Sequence, residues 1–297
     1  MINRRQFMQQ TGTLALGGLM ANPLAEALDF KRSPKVGLQL FTLFTVIDKD
    51  VQGNLKKVAD IGYKEIESAF SFKGGYYGMT STEFKKMVSD LGMTWRSHHI
   101  GGAPFKPRPG SDRSKMPKLL NLRDNAQEVI DQVKAGGVNY LVCANTPIET
   151  LDEVKASAEV LQKAGELCKK ADLTLCFHNH DAEFKAVEGQ LPYDIFLSQV
   201  SADVLKFELD LAWVSKAGVD PIALFEKHPK RFPLWHVKDM DKEFKTIMPV
   251  GEGTIDFKRI FAHAKTAGMK HFFVEHDMPA DAFASIKSSI DNLKKML

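Results

Sequence analysis

The chain has 297 residues and a formal net charge of +3, with 40 basic against 37 acidic side chains, a balance that leaves no basic footprint for a nucleic acid. Its three cysteines, Cys143, Cys168 and Cys176, are an odd number without a CxxC spacing, and two of them lie in apolar runs. That pattern argues against a disulfide framework and reads as buried thiols.

The chain opens on Arg4-Arg5-Gln6-Phe7 followed by a charge-free stretch over 9–24, then the small-x-small pattern Ala25-Glu26-Ala27. Residues 1–27 therefore read as an export signal, and the paired arginines suggest the twin-arginine route to the periplasm. The alternative, an amphipathic first helix, is disfavoured by Gly12, Gly17, Gly18 and Pro23. There is no lipobox cysteine, and no later segment approaches the ~20 apolar residues of a membrane span, so no stable membrane association is expected. Removing Arg4, Arg5 and Glu26 leaves a net charge of +2. The remaining 28–297 stretch carries no linker or compositional break and is the size of one α/β barrel domain.

From residue 35 onward, apolar runs of strand length alternate with amphipathic segments of helical period. Strands are predicted over 35–41, 63–68, 94–100, 139–144, 174–180, 205–210, 233–238 and 271–275. Helices are predicted over 54–61, 82–91, 126–135, 148–171, 221–228, 257–267 and 282–296. Gly62, Gly92, Gly136-Gly137 and Gly268 fall where helices should end. Eight βα units predict a closed (β/α)8 TIM barrel. An open doubly wound sheet is the alternative, but the first βα turn, 42–50, has no GxGxxG cradle. Two stretches break the rhythm, a Pro/Gly/basic loop over 101–118 and a second loop over 238–256. Both lie on the carboxyl-terminal side, where βα loops form walls and lids. Tyr76, Tyr77, Phe105 and Trp213 read either as apolar platforms for a sugar ring or as ordinary packing.

Four predicted strands end on polar groups: His178-Asn179-His180, Glu208-Leu209-Asp210, His236-Val237-Lys238-Asp239 and Glu275-His276. The period of two puts His178 with His180, Glu208 with Asp210, and His236 with Lys238 on one face each. Six of the nine histidines, His98, His99, His178, His180, His236 and His276, lie at or beside strand ends. Strand carboxyl ends are where α/β barrels place chemistry, and imidazole with carboxylate is the ligand set of a catalytic divalent metal. Buried charge without a partner is expensive. These residues therefore either bind a cation or pair with one another in a hydrogen-bonded polar core.

The runs Val36-Gly37-Leu38-Gln39-Leu40-Phe41, Gly62-Tyr63-Lys64-Glu65-Ile66-Glu67, His178-Asn179-His180-Asp181, Leu209-Asp210-Leu211-Ala212-Trp213, His236-Val237-Lys238-Asp239-Met240, Gly251-Glu252-Gly253 and Val274-Glu275 resemble the xylose isomerase-like barrel superfamily. Within it, the chain is most similar to the sugar phosphate isomerase/epimerase group, which includes inosose dehydratase and the ketose 3-epimerases. The stretch from Leu209 through Ala217-Gly218-Val219-Asp220-Pro221 to the His-Val-Lys-Asp run is the most specific part.

The resemblance implies one divalent ion, Mn, Mg, Co or Zn, held by Asp210, His236 and Glu275 from strands six, seven and eight. The strand-five glutamate of the ketose epimerases has no counterpart here; His180 or His178 occupies that region, with His180 the expected fourth ligand. Glu275, His180, Lys238 and Glu67 are the expected catalytic residues, Glu67 supplying a carboxylate from strand two. His99, His178, Glu208 and Trp213 are the expected substrate-binding set. Lys238 either hydrogen-bonds a substrate oxygen or forms a salt bridge to Asp210 or Glu208. Such a pocket supports proton abstraction beside a carbonyl, with the cation stabilising an enediolate. The outcome is isomerisation, epimerisation or loss of a β-leaving group from a keto-sugar or keto-glycoside. A non-catalytic exported sugar-binding barrel is the reading from another class; an endonuclease-like phosphodiesterase is disfavoured by charge and export. The expected partner is a small-molecule sugar, and a homo-oligomer is compatible with the sequence.

Overall fold

The computed structural model describes residues 35–106, 117 and 119–297. The export signal predicted over 1–27 and most of the 101–118 loop lie outside the described residues. Eight parallel strands close into a barrel in chain order: β1 (Gly37–Gln39), β2 (Glu65–Ser68), β3 (Thr94–Gly101), β4 (Tyr140–Asn145), β5 (Thr174–His178), β6 (Leu205–Asp210), β7 (Leu234–Val237) and finally β10 (His271–Val274), which pairs back onto β1. A small antiparallel pair, β8 (Asp239–Met240) with β9 (Ile247–Met248), is set into the loop after β7. The barrel predicted from the eight βα units is the barrel observed.

Helices α1 (Val51–Ile61), α2 (Ser81–Asp90), α3 (Leu122–Ala135), α4 (Leu151–Lys170), α5 (Pro192–Gln199), α6 (Leu211–Lys216), α7 (Pro221–Lys227), α8 (Phe257–Phe261), α9 (Ala264–Ala267) and α10 (Ala282–Met296) connect the strands. Their starts are capped as their sequences dictate. Thr80 and Glu83 form a reciprocal capping box on α2, and Asn121 caps α3, which begins at Leu122, four residues before the predicted start. The predicted helix over 257–267 is two short helices with Ala262 and His263 between them. Helix α5 went unpredicted because five of its eight residues, Pro192, Tyr193, Ile195, Phe196 and Leu197, are buried, and so short a segment shows little amphipathic period.

The barrel interior is layered. At its amino end Glu65 accepts hydrogen bonds from Arg96 Nε and His271 Nδ1, each at 2.7 Å. Above it Val142, Cys176, Leu234 and Phe273 form a fully buried apolar cluster. Strand alternation then turns the residues two further along inward as well, which brings His178, His236 and Glu275 into the next layer. The seam between β1 and β10 requires a glycine, since a Cβ at Gly37 would stand 2.4 Å from Phe273 Cδ1 and 2.7 Å from the Phe272 carbonyl oxygen. Among the described residues no helix is long and apolar enough to cross a membrane.

Cys143, Cys168 and Cys176 are free and buried, as the sequence predicts. Burial pushes the thiols of Cys143 and Cys168 up to about 12 and that of Cys176 well above its ordinary value. Because the thiolate is the reactive form, native protein at pH 8 should give no rapid reaction with a chromogenic disulfide. Protein in guanidinium should release all three thiols. Rapid reaction of any thiol in the native state would contradict this packing.

Candidate active site

The carboxyl-terminal layer is built around the imidazole of His236, fully buried on β7. Its Nδ1 lies 2.8 Å from Glu275 Oε2 and 3.8 Å from Asp210 Oδ2. Its Nε2 lies 2.6 Å from Glu67 Oε1 and 3.1 Å from Glu208 Oε2. Asp210, the last residue of β6, also starts α6: its Oδ1 accepts from the backbone N–H groups of Ala212 and Trp213, both at 2.9 Å. One oxygen is thereby used as a helix cap, where the helix dipole favours a carboxylate, and Oδ2 is left facing the barrel. The Asp210 backbone N–H donates to Asn179 Oδ1 at 3.1 Å, tying the end of β6 to the chain leaving β5.

Lys238 Nζ sits among three carboxylates, 3.1 Å from Asp210 Oδ2, 2.8 Å from Glu275 Oε2 and 3.0 Å from Asp277 Oδ1. Of the two roles open to it from sequence, the salt bridge to Asp210 is present. Deeper in, His99 Nε2 bridges Glu208 Oε2 at 2.7 Å and Glu67 Oε1 at 3.1 Å, and its ring stacks on that of His236 at 5.2 Å. Glu67 also accepts from Gln39 Nε2 at 2.7 Å and from Ser97 Oγ. The register shift between Ile66 and Glu67, where β2 meets β3, accompanies this inward placement.

Four buried carboxyl groups, Glu67, Glu208, Asp210 and Glu275, face one buried ammonium, and the electrostatics follow. Burial works against charge on Glu67, yet the imidazoles of His99 and His236 hold its carboxyl well below the usual range. Burial likewise opposes Glu275, and Lys238 and His236 bring it down. Glu208 is raised by burial and by Glu67 beside it, and Asp210 is raised by burial against the pull of Lys238. Burial disfavours charge on His99, but Glu67 and Glu208 raise it to about 9. The same contest, with Glu208, Glu275 and Glu67 prevailing, raises His236 well above its ordinary value. His178 and His180, burdened by burial and by neighbouring positive groups, are lowered, His180 to about 4.

These residues fit a divalent cation. Among the described residues, Asp210, His236 and Glu275 form one set whose ligand atoms all lie within 4.8 Å of one another, and His99, His178, Glu208 and His236 form a second. Three atoms of these residues, His178 Nδ1, Glu208 Oε1 and Asp210 Oδ2, are buried without a hydrogen-bond partner, although His178 Nδ1 lies 3.3 Å from Glu208 Oε2 and Asp210 Oδ2 lies near Lys238 and His236. Unsatisfied donors of this kind beside excess negative charge are what a bound cation would satisfy.

The structure thus brings Asp210, His236 and Glu275 together as expected, while His180 belongs to neither set. It stands above His178, ring centroids 4.9 Å apart, and lines a cavity of about 1040 Å³ with His99, His178, Lys238 and Glu275. Glu67 and Glu208, both fully buried, lie beneath that cavity rather than on its wall. Trp213 is not on the wall either; its ring lies 6.0 Å from His180, with Lys216 and Lys238 over its face. Tyr76 and Phe105 line the cavity, whereas Tyr77 is packed inside, its hydroxyl accepting from the Ala69 N–H. His276 faces away and pairs with Ser285 Oγ at 2.8 Å.

Sequence reasoning missed Asp277, Glu183 and the role of Asp239. Asp277 clamps Lys238 and is raised to about 6 by burial and Glu275. Buried Glu183 accepts the His180 backbone N–H at 2.7 Å and so fixes the turn after β5. The spacing Asp277 two beyond Glu275 was the available signal for the first; Glu183, three residues after His180, was visible only as a loop acid.

The profile of the xylose isomerase-like TIM barrel family matches residues 55–296. A sugar phosphate isomerase/epimerase from Parabacteroides distasonis ATCC 8503 is 28% identical, with a TM-score of 0.72 over 87% of this chain and 93% of that chain. Inosose dehydratase of Clostridium tetani is 21% identical over 190 residues, 58% of this chain; the match spans 63% of that relative's length. The solved IOLI protein with a binding zinc atom shares the fold at a TM-score of 0.65 and 15% identity, over 88% of this chain and 97% of that one.

Asp239 fastens the loop that follows Lys238. Its Oδ1 accepts from the N–H groups of Met240 and Ile255, and its Oδ2 from those of Gly251 and Gly253, at 2.9–3.1 Å. A Cβ at Gly253 would stand 2.2 Å from Asp239 Oδ1, so that approach depends on glycine. Asp239→Ala strands four amides at once and should cost about 3 kcal/mol or more in urea unfolding. An unchanged midpoint would show that the loop is held some other way.

Proposed function

The chain belongs to the xylose isomerase-like TIM barrel family, and on that premise we propose that it is a divalent-metal-dependent isomerase, epimerase or lyase acting on a keto-sugar or keto-glycoside through an enediolate. The observation that carries this reading is the set Asp210, His236 and Glu275 on three adjacent strands, of which Glu275 reaches the wall of a cavity large enough for a sugar. These three would hold the ion, with His178 at the end of β5, its ring 4.5 Å from that of His236, the nearest further imidazole. When bound there, a divalent ion polarises a carbonyl and neighbouring hydroxyl and stabilises negative charge on oxygen.

The chain's own residues supply the rest. Lys238 Nζ holds Asp210 and Glu275 in fixed orientation at the edge of the cavity. His180, neutral at pH 7 because burial and Lys238 lower it to about 4, faces the cavity with a ring nitrogen free to take a carbon-bound proton. Glu67 and Glu208, below the wall, position the His99 and His236 rings. An imidazole where the epimerases carry a glutamate gives a one-sided acid–base arrangement, which favours isomerisation or elimination over symmetric epimerisation.

The cavity also favours an unphosphorylated substrate. Lys106 and Lys238 are the only cationic side chains other than histidine on its described wall, and Lys238 is saturated by three carboxylates. Phosphate recognition uses clustered Arg or Lys or a helix amino terminus. An exported, periplasmic enzyme, as residues 1–27 suggest, would likewise meet free sugars and glycosides.

The test is turnover of a free keto-sugar, its phosphate and its glycoside by metal-loaded protein in D₂O. Deuterium should enter at the carbon beside the carbonyl, and the unphosphorylated compounds should be preferred. A clear preference for the phosphate, or turnover without exchange, would overturn the reading.

A further inference from the structure

The cavity is divided by the order of the strands. Its polar half, His178, His180, Lys238, Glu275 and Asp277, comes from β5, β7 and β10. Of the rest, the segments after β3 and β4 line one part, and the turns after β1 and β2 contribute Phe41, Phe44, Phe70 and Phe72 as one aromatic wall. Neighbouring rings in it stand 5.1 Å (Phe41 and Phe44), 6.1 Å (Phe44 and Phe70), 5.2 Å (Phe44 and Phe72) and 4.9 Å (Phe70 and Phe72) apart. Phe72 is 55% exposed and Phe105, also on the wall, 59% exposed.

Several polar side chains beside this wall are already engaged with protein, while Lys106 and the Gln132 and Asn145 amides line the part of the cavity that follows β3 and β4. Ser71 Oγ donates to Asp48 Oδ1 at 2.7 Å, and Thr146 Oγ1 donates to Ser157 Oγ at 2.7 Å. His98 Nδ1 is paired with Ser68 Oγ at 2.8 Å, and Glu153 Oε2 accepts the Glu149 N–H at 2.9 Å. A second sugar ring would need free hydrogen-bonding groups here, because a polar group buried without a partner costs binding energy. An apolar group needs only the rings. The volume agrees: about 1040 Å³ is at the top of the roughly 300–1,000 Å³ typical of sites for drug-sized ligands, and a lone sugar ring would leave most of it to water.

Resting on the lyase form of the proposed function, we infer that the substrate is a keto-glycoside with an aromatic aglycone, the keto-sugar on the polar half and the aglycone on the phenylalanine wall. The chemistry balances without an added oxidant or reductant. The C–H bond beside the ketone breaks and its proton passes to an imidazole; the electron pair forms a C=C bond toward the anomeric carbon. The anomeric C–O bond breaks, and the leaving oxygen takes a proton and departs as the aromatic alcohol, leaving an unsaturated keto-sugar. The wall's task is to seat the leaving group before and during that cleavage.

Calorimetry with metal-loaded protein and three unoxidised glucosides, which bind without reacting, tests the subsite apart from the chemistry. The 2-naphthyl β-glucoside should bind at least about tenfold tighter than the methyl β-glucoside, the area it buries on the rings supplying the difference, and tighter than methyl cellobioside. In Phe72→Ala, an exposed position that cannot compromise the core, and in Phe44→Ala, the ratio of naphthyl to methyl affinity should fall toward one. Equal affinities in the wild-type protein, a preference for the cellobioside, or a ratio unmoved by both substitutions would overturn the inference. Naphthyl binding through these rings with no cleavage of any keto-glycoside would uphold the subsite and refute the lyase reading instead.

Discussion

Everything at the carboxyl-terminal end of this barrel answers to one electrostatic constraint: Glu67, Glu208, Asp210 and Glu275 are buried together with a single ammonium, Lys238. Several carboxylates within hydrogen-bond reach of shared partners cannot all be charged in a low-dielectric interior without compensating positive charge. Three histidines surround them, and His236 contacts an acid through each ring nitrogen. Proton uptake by His99 and His236 offsets part of the excess. A divalent cation bound by the same atoms offsets more of it, and does so with directional bonds to donors that otherwise lack partners.

That constraint sets the surrounding architecture. Asp210 is held by the first turn of α6 so that only one oxygen faces the barrel, and Lys238 is clamped between Asp210, Glu275 and Asp277. Asp239, adjacent to Lys238, binds four amides of the following loop and so anchors the chain just beyond the site. The part of the mouth that follows β1 and β2 is built from phenylalanine. A pocket with one charged part and one aromatic part discriminates by the division itself, since a ligand must present polar and apolar faces in the matching order.

The fold was legible because strand alternation and helix-ending glycines are local. Gly62, Gly92, Gly137 and Gly268 all have positive φ at or near the helix ends where they were expected, and all eight strands fall within or close to their predicted spans. The convergence of Asp210, His236 and Glu275 was legible too, because equivalent strand ends in a closed barrel must meet. Less was visible where a residue's role is set by a loop. His178, not His180, joins the ligand-type sets because β5 ends at His178 and the chain then turns, held by Glu183. Glu67 and Glu208 are fully buried and stop short of the cavity wall, a depth that the period of two does not specify. The phenylalanine wall draws on residues scattered over two connections, brought together only because β1 ends at Gln39 and the chain coils at once into a short turn over Leu40–Leu43.

The central claim is that His236 and its neighbours form a metal centre, and elemental analysis tests it most directly. Protein stripped of metal, reloaded with Mn²⁺ or Zn²⁺ and separated from free ion should retain a stoichiometric cation, while His236→Ala and Asp210→Ala, folded by circular dichroism, should lose it. A wild-type protein that retains no ion, or an Asp210→Ala and His236→Ala pair with unchanged metal content, would contradict the account and leave the buried layer as a hydrogen-bonded polar core.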